Sequence, residues 1–270
     1  MEVRVLSAAL FLLNYFMWLF FLLFFFFNLS PVKAQTQDEL FTQYRQDYLF
    51  LRDEYQKNYL DFLNKKNVYI QYRSITSEQD MIESTKAVLF SRNKMLKSFL
   101  MALRVSLDKY KNINPVNTEK NQIQLSKWEE WLDEQNLIIP NFTNSSDIKE
   151  WATLFKNRYL EIQNAFYQAL TQADVNLRLY NLNEIKLLAE EIKTDPKNNN
   201  FTQDWFASFP VKSDLIKNSL ETATALAQKP QKARTFDNYY PEVRVQTQKA
   251  DSYLESLLAD LKAITIKFYN

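Results

Sequence analysis

Not one of the 270 residues of this chain is glycine. Ordinary usage puts glycine near about 7% of residues, so its complete omission limits what the backbone can build. Phosphate-cradling loops, dinucleotide-binding turns and the nucleophile elbow of serine hydrolases all need backbone that glycine alone adopts comfortably. Histidine and cysteine are missing too, which removes the usual zinc ligands, the imidazole base and the thiolate nucleophile. The composition predicts a protein that is not an enzyme and carries neither cofactor nor metal.

The first 34 residues read as an export signal. Met1 to Arg4 form a short charged start, an almost unbroken apolar run follows from Val5 to Phe27, and Asn28-Leu29-Ser30-Pro31 breaks it. Small or modest residues at Val32 and Ala34 place a signal-peptidase cut after Ala34. The run exceeds the usual signal core of about 7–15 residues and reaches the ~20 that span a bilayer. Retention as an N-terminal anchor, with membrane contact through residues 5–27, is therefore the second reading. A buried core helix is the third, and a stretch so rich in Phe would aggregate unless it were removed or held in lipid. The first two readings place residues 35–270 outside the cytoplasm, secreted or tethered.

That location suits a chain with no thiol to oxidise, stabilised by buried apolar area alone. Lys and Arg number 33 against 32 Asp and Glu, and without Glu2, Arg4 and Lys33 there are 31 of each. A neutral chain is poorly suited to nucleic acid, whose binding rests on neutralising many phosphates. Glycosylation sequons at Asn141, Asn144 and Asn200 matter only in a host that glycosylates.

Beyond the signal the pattern is helical. Phe41, Tyr48, Tyr55, Phe62 and Tyr69 recur every seven residues, as do Ile82, Leu89, Leu96, Leu103 and Tyr110, which predicts two long amphipathic helices over 36–73 and 77–112 folded into an antiparallel hairpin. Each would extend roughly 50 Å, and the Tyr/Phe seam of the first is read as core. Thr76 with Gln79 resembles a capping box at the second start. Pro115 is expected to break the chain before a shorter helix over 118–135. A long helix follows from Ser146 or Asp147 to Lys193, with Tyr159, Phe166, Ala173, Tyr180 and Leu187 as its seam beside Phe155, Ile162 and Ala169. Residues 195–200 read as a polar linker. A short helix from Phe201 is expected to end at Pro210, another spans 213–227, and 234–240 reads as loop. Pro241 then opens the last helix. Segments 1–34, 35–113, 114–196 and 197–270 emerge, the last three as one continuous helical domain.

Candidate chemistry is thin. Ser91/Lys94 and Ser146/Lys149 have the Ser-x-x-Lys spacing of some serine enzymes, but the glycine-bearing partner motifs are absent. Glu129, Glu130, Asp133 and Glu134 surround Trp128 and Trp131, as two acids and an aromatic platform would in a glycosidase; the plainer reading is a solvated acidic face with the tryptophans buried. Glu190-Glu191 is read the same way. On the second long helix Lys86, Arg92, Lys94, Lys97, Arg104, Lys109 and Lys111 face only Asp108. Arg92, Lys94, Lys97 and Arg104 are candidates for contact with anionic lipid or wall polymer, unless they pack beside the acidic helix over 119–134. Trp205, Phe206 and Phe209 form either a partner-binding patch or a plug over the bundle end.

These expectations combine into an all-α, elongated bundle of about six or seven helices with coiled-coil-like antiparallel hairpins. The function they favour is a non-enzymatic structural or interaction protein of the cell envelope, with an envelope or protein partner and self-association both compatible. The alternative is an extracytoplasmic module holding a small molecule or glycan in an interhelical pocket.

Overall fold

Helix follows helix because the apolar residues recur at helical spacing and the breaks carry capping chemistry. The computed structural model describes residues 36–194, 203–229 and 236–269, and all its helices belong to the unit Gln37–Asn270, distinct from Met1–Thr36. The described residues form six α-helices: α1 (Gln37–Tyr72), α2 (Ile75–Asp108), α3 (Pro115–Ile138), α4 (Ser145–Thr194), α5 (Gln203–Gln228) and α6 (Phe236–Tyr269), with a 3₁₀ turn at Ile139–Asn141. The all-α class is as the sequence indicates. The export signal and the linker over 195–200 lie outside the described residues. Among the described residues no helix is long and apolar enough to cross a membrane.

α1 and α2 form the expected antiparallel hairpin. Its turn is tight, and a chain without glycine must put another residue in the left-handed region: Arg73 adopts φ 48° and its N–H donates to Tyr69 O at 2.8 Å. The cap of α2 lies two residues ahead of the expected Thr76/Gln79 pair. The Ser77 amide donates to Ser74 Oγ at 3.2 Å, and the Ser74 amide donates to Ser77 Oγ at 3.0 Å. The reciprocal bonds of a capping box are made by two serines, because Ser is short enough to reach both ways.

Proline placement is the main correction. Pro115 opens α3 instead of preceding it, since the missing N–H costs nothing in the first turn. Pro210 does not end a helix: α5 runs through it to Gln228. Pro241 likewise lies inside α6, which begins at Phe236 within the expected loop. α4 starts where Asn144 Oδ1 accepts from the Ser146 and Asp147 amides at 2.8 and 3.1 Å.

At 50 residues α4 is about 75 Å long, and it serves two cores. Its first half joins α2 and α3 around Leu100, Leu107, Leu125, Leu132, Trp151 and Phe155. Its second half joins α5 and α6 around Leu182, Ile185, Ile216, Leu220, Leu254 and Leu257. Between them Gln172 Nε2 donates to Asn176 Oδ1 at 2.7 Å, and Asn176 Nδ2 donates to Thr118 Oγ1 at 3.0 Å, so these buried amides are satisfied by one another. Of the expected seam of α4, Tyr159, Tyr180 and Leu187 are exposed, while the residues expected beside it, Phe155, Ile162 and Ala169, are the buried ones. A strict heptad drifts about 20° per repeat on a straight helix, and over this length the drift carries the seam out of the core.

Candidate functional site

α2 is the shared floor of the N-terminal half, with α1, α3 and α4 packed on it. α1 leans on α2 and scarcely touches the other two helices. Its aromatic seam faces α2, yet no residue of α1 is fully buried, which corrects the expectation of a core seam there. From the middle of α2, Ser98 Oγ donates to the Tyr44 carbonyl at 3.1 Å. A trough therefore runs along each flank of α1.

The trough toward α3 is charged. It encloses about 610 Å³ and is lined by Asp47, Phe50, Lys94, Lys97, Asp133 and Asn136, among others. Lys97 Nζ meets Asp133 at 2.6 Å, and Lys94 Nζ sits 4.5 Å over the Phe90 ring. One level deeper Arg104 holds Glu129 through two bonds of 2.9 and 3.1 Å. Of the four cations proposed for an anionic surface, Lys97 and Arg104 are thus neutralised by the acidic helix beside them. Lys86 is likewise paired with Glu83 at 2.7 Å and Lys109 with Asp38 at 3.1 Å.

The trough toward α4 is apolar. A cleft of about 500 Å³, a volume ordinary for a small-molecule site, is lined by Phe41, Tyr48, Phe99, Phe166, Leu170 and Leu177, among others. Three rings cross its floor: Tyr48 to Phe99 at 5.1 Å and Phe99 to Phe166 at 4.9 Å between centroids. One heptad along each helix the corresponding residues are Phe41, Ser106 and Ala173, all lining the same cleft. Ser106 turns its hydroxyl to the Leu103 carbonyl at 2.7 Å. Two small side chains at that level leave the space that a pair of larger ones would fill.

Arg92, the remaining cation, is half-buried against aromatic faces. Its Cζ lies 3.9 Å from the centre of the Phe155 ring and 5.4 Å from that of Trp151. Burial pushes its pKa down from the ordinary guanidinium value, against the smaller opposing effects of Tyr55 and Tyr159. Nothing in the run of basic residues distinguished Arg92 from its neighbours, and its role emerges only once α4 is laid against α2.

Around the acidic cluster, Trp128 is buried and Trp131 half-buried, with Glu130, Asp133 and Glu134 exposed. Glu129 departs from the solvated face, being buried against Arg104. Ser91 is buried with its hydroxyl donated to the Ala87 carbonyl at 2.8 Å, and Lys94 turns away to Phe90. Trp205 is buried on the second core, with Phe206 and Phe209 partly buried beside it. Trp205 stacks edge-on to Phe206 at 4.9 Å and tilts against Phe209 at 5.3 Å. Among the described residues no group of acidic side chains is placed to hold a metal ion.

No family model, no curated protein and no solved structure matches this chain.

Proposed function

We propose that this chain is a non-enzymatic helical interaction protein of the cell envelope, acting outside the cytoplasm through its N-terminal hairpin. One observation carries the reading: α1 is held by a single neighbour and displays large apolar side chains to solvent, Phe50 70% and Leu60 61% exposed. A helix that buries nothing fully over 36 residues contributes little to a core. Exposed apolar surface on such an arm marks a contact surface. The apolar run Val5–Phe27 upstream supports the location.

The test places a photocrosslinking amino acid at Phe50 or Leu60 of the full chain in living cells, with Leu132 in the core as control. One recurrent envelope partner at both α1 positions, absent at Leu132, is the expected result. Cytoplasmic partners, or no adduct at either position, would reject the role. Protease access to a C-terminal tag in intact cells checks the side of the membrane independently.

A second reading is favoured by the apolar trough between α1 and α4. Its volume and aromatic lining suit a small molecule with an apolar body better than a glycan, which needs hydrogen-bonding groups along its length.

A further inference from the structure

The charged trough between α1 and α3 holds two side chains of opposite sign that no group of the chain neutralises. Lys94 makes no ion pair among the described residues, its Nζ standing 4.5 Å over the Phe90 ring. Asp47, also in the lining, has neither hydrogen bond nor ion pair among the described residues. Lys97 and Asp133 line the same trough and neutralise each other at 2.6 Å. The rest of the lining is largely apolar, and its two rims carry large side chains in water: Phe50 on α1, and Leu137 on α3, which is 76% exposed.

The places of the two charges are related. Asp38 against Lys109 and Tyr48 against Phe99 fix the register of the hairpin, and that register sets Lys94 level with Asp53, which is itself engaged by Arg52 at 3.1 Å. Along α1, Lys94 thus stands three residues beyond Phe50 and Asp47 three residues before it, each about 4.5 Å away in axial distance. A two-fold axis crossing α1 at Phe50 reverses that order in a second copy. Its Lys94 then comes level with Asp47, its Asp47 level with Lys94, and the two Phe50 rings meet at the axis. A two-fold axis along the trough would keep the order and oppose like charges, so the charges select the antiparallel arrangement.

We propose that this face is self-complementary and that two copies of the chain associate through it, trough to trough, with their α1 helices antiparallel. The proposal rests on the reading of α1 as a contact surface and names the chain itself as the partner that Phe50 meets. Every contact occurs twice by symmetry: two Lys94–Asp47 pairs form, and Phe50 and Leu137 of both copies leave water. The charge pairs set direction and register, and the apolar side chains supply the affinity.

The test joins Lys94 to Asp47 with a zero-length carbodiimide in the full chain, held in detergent micelles as an equilibrated equal mixture of unlabelled and heavy-nitrogen-labelled protein. Peptide mass spectrometry is expected to find about half of the Lys94–Asp47 links isotopically mixed, as random pairing between copies requires. Isotope-pure links would place the pair within one chain and overturn the proposal, and so would absence of the link. Lys94→Glu is expected to weaken the dimer about tenfold in sedimentation equilibrium, because two exposed pairs are lost at once. Lys94→Glu with Asp47→Lys should restore it, and a double variant as weak as the single would overturn the pairing. A foreign protein captured at Phe50 in cells, with only isotope-pure links in the purified chain, would overturn the second copy and leave α1 as a contact surface.

Discussion

Arg104 of α2 grips Glu129 of α3 through both Nε and Nη2, and the carboxylate it holds is only 9% exposed. The bond to Glu129 also raises the arginine above its ordinary pKa, outweighing burial. This pair fixes the spacing of the two helices below the charged trough, and Lys97–Asp133 repeats it nearer solvent.

Removing one partner should cost far more than removing both. Arg104→Met strands the buried Glu129 carboxylate and is expected to destabilise by about 3 kcal/mol, with the arginine's own partial exposure already discounted. Arg104→Met with Glu129→Met leaves two apolar side chains of similar length, and most of that loss should return. Urea unfolding of the wild type, both single variants and the double variant measures the coupling. A double variant as weak as the sum of the singles would mean the pair is not a unit.

Arg92 should respond in the opposite sense. The Arg92 guanidinium is half-buried on rings with its Nε and Nη2 unpaired among the described residues, so Arg92→Met is expected to leave stability unchanged or raise it by about 1 kcal/mol. Thermal melts of the apo protein decide this. A marked loss would show that the stack on Phe155 outweighs the desolvated charge.

The contrast between these two arginines shows what could be read in the sequence. The run Arg92, Lys94, Lys97 and Arg104 is visible as charge, and the acidic helix 119–134 as its counterpart, because both are local patterns. The difference between Arg104 on Glu129 and Arg92 on Phe155 depends on α4, some 60 residues further along, and on which face it turns to α2. Heptads identified the hairpin because Tyr48 and Leu103 repeat over many turns. On α4 they centred the stripe on Tyr159 and Tyr180, which sit at its edge, while the flanking Phe155, Ile162 and Ala169 are buried. Proline was read by its intrinsic preference, and tertiary packing of Trp205 and Phe209 on the second core overrode it at Pro210.

Pro210 stands eight residues into α5, beyond the turn where a missing N–H is harmless. Its ring crowds the carbonyl of Phe206, four residues back, and a hydrogen bond is lost. Pro210 is exposed, so Pro210→Ala removes this penalty without opening a cavity. An increase of about 2 kcal/mol is expected, read from urea unfolding. Decreased stability would mean that a bend at Pro210 seats Phe206 and Phe209 on the core.

Asp147 guards the start of α4. Its carboxylate accepts from the Thr143 amide at 2.8 Å, the Thr143 hydroxyl at 3.1 Å and the Asn144 amide at 3.3 Å, and these bonds, led by the Thr143 amide, hold its pKa below the ordinary carboxylate range. A depressed folded pKa gives stability that is present above the unfolded value and disappears as pH falls through the folded one. The Thr143 and Asn144 amide resonances should therefore titrate together at a pH below that of a free aspartate. Asp147→Asn should abolish the transition, and an inflection at the ordinary value would contradict the capping role.

The turn between α1 and α2 is where the missing glycine is felt. Arg73 holds φ 48° at the turn between α1 and α2, where an L-residue with a Cβ pays roughly 1–2 kcal/mol. Arg73→Gly relieves that strain but also gives the unfolded chain more freedom, which takes back part of the gain. The side chain is exposed and its backbone N–H to Tyr69 is kept, so a net gain of about 0.5–1 kcal/mol is expected. Arg73→Ala, which keeps the Cβ, should gain nothing, and this separates backbone strain from any effect of the guanidinium. Equal stability for the Gly and Ala variants in urea would show that the turn is not strained, and that the chain dispenses with glycine here at no cost.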